Sequence, residues 1–136
     1  MSTDQNREQG FQTFKEIKLG TESRQLLREE CPCLLHNQGG SGTATVLLPT
    51  DPKGGEVVKA LVLAAQDLRL DPGASRAIYA DDATSAGYVK QTDGKYINGD
   101  AVGEQVTLIY SALLDDWLAL GQSDGAGGSG FTEIES

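Results

Sequence analysis

The chain has 136 residues, 17 of them glycine, and only 6% are aromatic, which fits one domain of many short strands joined by glycine turns. Twenty acidic side chains against eleven basic give a net charge of −9, which repels nucleic-acid phosphate and argues against a DNA- or RNA-binding role. No apolar run approaches the roughly 18 residues that cross a bilayer, and the first thirty residues lack a secretory hydrophobic region. Neither a membrane nor a nucleic-acid partner is therefore expected.

Residues 1–10 (MSTDQNREQG) carry no apolar side chain after the initiator. They are expected to extend as a disordered arm. Phe11, Phe14, Ile17 and Leu19 follow, separated by polar residues. Their spacing fits a helix at its start and a strand at its end, and the two readings stay open. The four form either an apolar stripe that docks on another surface or a first element of the domain's own core. An arm over residues 1–20 is expected on the docking reading, with these four as its partner-binding residues.

Thr21 to Glu30 begins with possible N-caps and continues in good helix formers, so a single short helix is expected there, ended by Pro32. Cys31, Cys33 and His36 are the only cluster of metal-ligand types. Two cysteines and one histidine fill at most three positions of a structural zinc site, so no metal is expected and the thiols read as partly buried at a strand start. Residues 34–48 read as strand, glycine turn and strand, stopped by Pro49 and Pro52.

Residues 56–70 (EVVKALVLAAQDLRL) admit two readings. Val57, Val58, Leu61, Val62, Ala65 and Leu68 line a helical face, whereas strands over 57–64 and 67–71 also fit the text. Propensity alone favours the helix for the first half. Asp71-Pro72-Gly73 is a turn, and residues 75–80 read as a short strand.

From Tyr88 the text is β-sheet grammar. Asp93-Gly94 is expected to close a tight hairpin between residues 88–92 and 95–98, with Asn98-Gly99 as a second turn. Val106, Leu108 and Tyr110 alternate with polar or outward residues as a half-buried strand. Residues 111–120 fit a helix or a strand folding back across a turn near Leu114-Asp115. The strand buries more, with Trp117 as either a core anchor or an interface residue. Asp81-Asp82 and Asp115-Asp116 lack calcium-loop spacing and read as solvated turn carboxylates. Residues 124–136 read as a flexible glycine-rich tail, leaving a β-domain over 21–123.

No dinucleotide, phosphate-loop, metalloprotease or nucleophile-elbow motif is present, and the single histidine leaves no catalytic set. The chain is not expected to be an enzyme or to hold a cofactor. The order of signals nevertheless carries a resemblance. Leu48-Pro49 ends a strand, Gly54-Gly55 turns, and a late Gly103, Val106-Thr107-Leu108 hairpin returns on a strand bearing Trp117. Over residues 42–122 this resembles a small β-domain of tailed-bacteriophage virion proteins, found in capsid decoration (cement) proteins, head fibres and tail-fibre segments.

That resemblance implies a small antiparallel β-sandwich or barrel-like domain, and strands rather than a helix over 57–71. It also implies a decoration protein on the outer capsid surface, bound to the major capsid protein, commonly trimeric, and assembled in the host cytoplasm. The alternative it leaves is a fibre module that binds a receptor or glycan.

Overall fold

A computed structural model describes residues 14–83 and 87–135. Twelve strands form two sheets: β1 (Lys15–Lys18), β2 (Arg24–Gln25), β3 (Cys33–His36), β4 (Ala44–Leu47), β5 (Val57–Leu61), β6 (Leu68–Asp71), β7 (Ile78–Asp81), β8 (Tyr88–Lys90), β9 (Tyr96–Gly99), β10 (Gln105–Ser111), β11 (Asp116–Ser123) and β12 (Glu133–Glu135). One sheet runs β1-β3-β5-β10-β11-β7-β8 and the other β12-β9-β6-β4-β2. Their inner faces share one core containing Leu35, Val58, Leu70, Leu108, Trp117 and Phe131. The protein is an all-β sandwich, as its sequence indicates.

The sheets are mixed rather than antiparallel. From β1 to β6 the chain alternates between the two sheets, so β1, β3 and β5 lie parallel in one while β2, β4 and β6 lie parallel in the other. Each link crosses the sandwich and returns the chain beside its earlier strand in the same direction, which a hairpin cannot do. Asn37, wholly buried, fastens one such crossing: its amide donates to the carbonyls of Ala64 and Gln66 and accepts from the N–H groups of Leu63 and Ala64. The second half is mainly antiparallel, with β10 against both β5 and β11.

Residues 57–61 and 68–71 are strands, not a helix. β5 sits centrally between β3 and β10, and its side chains alternate between core and outer face. The helix expected over 21–30 is replaced by the two-residue β2 and a 3₁₀ turn, Arg28–Glu30. Leu26 is fully buried and its N–H donates to the Leu47 carbonyl, which holds the segment extended. Burial pushes the Glu30 carboxyl up, but the Leu27 N–H and the Lys15 and Arg24 cations outweigh it and hold the group below its usual range.

The Asp93-Gly94 turn forms, with the Lys95 N–H donating to the Thr92 carbonyl at 3.2 Å, but it joins no hairpin. β8 pairs with β7 in one sheet and β9 with β6 in the other, so this turn is a crossover. Gly99 is not a turn residue either. It lies in β9, where a Cβ would come 2.7 Å from the Phe131 ring. Gly99→Ala is expected to displace that buried ring and lower the melting temperature by roughly 5–15 °C, measured by thermal circular dichroism.

The domain boundaries expected at residues 21 and 123 shift outward at both ends. Residues 15–20 are not a free arm: β1 extends the seven-stranded sheet, with Ile17 and Leu19 in the core. Residues 124–135 are not a flexible tail. The Asp124 carboxylate accepts from the N–H groups of Ala126 and Gly128, Gly130 packs against the Ser123 carbonyl, and β12 joins the second sheet beside β9.

Candidate docking surface

The four residues expected to dock on a partner separate. Phe11 lies outside the described residues. Phe14 is half-buried, with the Lys59 ammonium 5.0 Å from its ring centre. Ile17 and Leu19 are only 5% and 4% exposed, so both belong to the domain core and neither can reach a partner. Two apolar residues at alternate positions were strand text, and their inward direction follows from β3 lying alongside.

Cys33 is buried at the start of β3 and Cys31 half-buried beside it, both as free thiols. The Cys33 hydrogen bond lowers the Cys31 thiol's pKa, and the same contact together with burial raises that of Cys33. His36 turns to the opposite face and meets Glu16 at 2.9 Å. Among the described residues no group of three histidine, cysteine or carboxylate side chains is placed to hold a metal ion.

Of the two aspartate pairs, Asp115 is a solvated turn residue, its side chain 68% exposed, whereas Asp116 departs from that expectation. Asp116 is buried, accepting from the Ala77 N–H at 2.8 Å with Lys90 3.5 Å away. Asp115 accepts from Arg76 Nε at 3.1 Å and from the Tyr110 hydroxyl. The Tyr110 and Arg76 hydrogen bonds hold its carboxyl below the usual range. Asp81 takes its place through its backbone, whose N–H and carbonyl bond the Gln122 amide.

Asp115 closes the β10–β11 turn at one pole of the sandwich. Beside it Gly54 approaches Ala112, and Arg76 donates to the Thr50 carbonyl at 3.0 Å. Arg28 bonds Asp51 there as well. On this fastened pole Leu113 is 100% exposed, Leu27 54% and Leu114 48%. Leu113 wholly in water, with Leu114 half-exposed on the same turn, makes a docking surface in form. The sequence offered a helix or a turn near Leu114-Asp115 over residues 111–120, and the turn it favoured is the one that forms. Once the turn is placed at Leu114-Asp115, both fall on its tip, and that register was the available signal.

A second charged feature lies at the far edge of the other sheet. Burial pushes the Asp100 and Glu133 carboxyls up, and their mutual repulsion with Glu104 and Asp67 adds to it. Burial likewise raises Glu104, but the N–H groups of Ala101, Asp100 and Phe131 outweigh it and hold that carboxyl low. A carboxyl raised in the fold favours folding below its ordinary range and costs stability as pH rises through the raised value. Asp100→Asn is therefore expected to melt higher than the parent at pH 7, with the gap closing by about pH 4. Thermal melts at both pH values check this, and an equal gap at both would remove repulsion as the cause.

No protein-family model matches the chain, and no curated protein sequence matches it.

Proposed function

We propose that this chain is a virion structural protein, a capsid decoration (cement) protein that binds the outer surface of the major capsid protein and stabilises the shell. The observation that carries the reading is the leucine pole: Leu113, wholly exposed, stands on a turn pinned by Arg76 and Tyr110 through Asp115. A pre-ordered apolar tip docks without first losing conformational freedom. Each copy then contributes a few side chains, and many copies on one shell supply the rest of the reinforcement. The docking role expected of the arm before Gly20 passes in this reading to Leu27, Leu113 and Leu114. Assembly in the host cytoplasm fits two cysteines that remain thiols.

The glycan-binding alternative needs an exposed aromatic platform. Trp117 is fully buried and Tyr110 is 5% exposed, and Tyr88 alone among the tyrosines is largely open. That observation weighs against a sugar-stacking fibre module.

The test is shell binding by a tip variant. A buried leucine contributes about 1.5–3 kcal/mol, so Leu113→Asp should weaken binding to purified capsids of the encoding virus by about ten- to a hundredfold. Its melting temperature should stay within a few degrees of the parent's, since the side chain touches nothing in the fold. Undiminished binding by Leu113→Asp would place the contact elsewhere.

A further inference from the structure

We infer that the outer face of the seven-stranded sheet is where copies of this chain pack against one another. Val57, Ile109, Leu118 and Tyr79 stand in register across the four neighbouring strands β5, β10, β11 and β7. None of the four points into the core, because each alternates with an inward residue such as Val58, Leu108, Trp117 or Ile78. The next row carries Leu34, Lys59, Thr107 and Leu120, and Leu120 is 46% exposed. A depression of about 170 Å³ opens beyond this second row, bordered by Leu34, Lys59, Leu61, Gln105 and Thr107.

Charge on this face lies at its margins apart from Lys59 on β5, whose ammonium stands 5.0 Å from the Phe14 ring centre. Glu16 meets His36 at one flank, and Asp116 meets Lys90 at the other. An apolar centre inside a polar rim is the anatomy of a protein–protein interface. The outer face of the five-stranded sheet is built differently. Its corresponding row is Thr45, Arg69, Asn98 and Glu133, with Arg69 lying over the Tyr96 ring at 4.8 Å. The five-stranded sheet thus has a polar central row where the seven-stranded sheet has an apolar one.

The occupant that fits is a second copy. The chain carries a net charge of −9, so copies repel one another over most of their surface. The strands of this face present three lysines outward (Lys18, Lys59, Lys90) against three carboxylates (Glu16, Asp81, Asp116), so the negative excess lies elsewhere. Two copies meeting here do not bring that excess together. The size is also adequate: seven strands about 4.8 Å apart give roughly 600 Å² of sheet face per copy, near the roughly 800 Å² per partner of a standard interface.

This inference does not depend on the virion reading, and its test uses no capsid. Sedimentation equilibrium of the full chain up to about 200 µM should show an assembly of at least two copies. Ile109→Lys with Leu118→Lys should sediment as a monomer at the same concentrations, with an unchanged circular dichroism spectrum. Should that pair fail to fold, Leu120→Lys, at an already open position, should still weaken assembly by at least about tenfold. A parent chain that is monomeric throughout would overturn the inference and leave the face to a different protein or to the residues before Phe14. A parent that assembles, with variants that assemble equally well, would also overturn it.

Discussion

Replacing Trp117 with alanine is expected to lower the melting temperature by roughly 10–20 °C, or to prevent folding outright, because emptying a site of this size costs about 3–5 kcal/mol. Trp117 is fully buried on β11, directly opposite Tyr110 of β10, with ring centres 5.4 Å apart and planes tilted at 59°. It therefore ties the long hairpin to the shared core. Its indole N–H has no hydrogen-bond partner among the described residues, so the ring contributes through packing alone. Trp117→Phe should accordingly cost far less, about 1–2 kcal/mol. Thermal melts of both variants, followed by circular dichroism, separate the cavity effect from any hydrogen-bond effect.

The second large effect is expected at the C-terminal end. Phe131 is fully buried, its N–H donates to Glu104 at 2.9 Å, and its carbonyl accepts from the Gln122 amide at 3.0 Å. Its backbone holds a φ of +55°, unusual for a bulky residue, so the chain reverses sharply there to deliver the ring over Gly99. Phe131→Ala is expected to cost about 3–5 kcal/mol, similar to the loss of Trp117. Ending the chain after Ser123 should be worse, since it also removes β12 and bares the edge of β9. Solubility and urea melts check this. A shortened chain with the parent's melting curve would mean that residues 124–136 are the linker their composition resembles.

The contrast at Phe131 shows which parts of this fold were readable. The β10–β11 hairpin was legible because it is local: alternating Val106, Leu108 and Tyr110 face Trp117 and Ala119 across a short turn. All-β architecture was legible for the same reason. The winding from β1 to β6 was not, because a strand buried on one side shows the same period-2 text whether its neighbours run parallel or antiparallel. What places β1 beside β3 is a contact eighteen residues away in sequence, as in Lys15 opposite Cys33.

Glycine misled at Asn98-Gly99, which lies inside β9, and in two further places. Asp93-Gly94 has the chemistry of a hairpin turn, but positive φ serves a crossover equally well, and Gly94 has φ of +85° in this one. The run from Ser123 to Gly130 has linker composition, yet Asp124 and the close approach of Gly130 to Ser123 turn it into a tight loop. Apolar residues were less ambiguous in the second half than in the first. Ile17 and Leu19 fitted a docking stripe or the domain's own core, and the structure buries them, whereas the turn expected near Leu114-Asp115 forms and carries Leu113 and Leu114 exposed.

Shell binding tests the proposed role most directly. The full chain would be mixed with purified capsids of the virus that encodes it, and bound copies counted after sedimentation. The proposed role predicts saturable occupancy at a fixed number of copies per shell, shells that withstand more heat when decorated, and both effects lost with Leu113→Asp and Leu114→Asp together. A folded chain that leaves the capsids bare, or decorates them equally with and without its leucine tip, would contradict it.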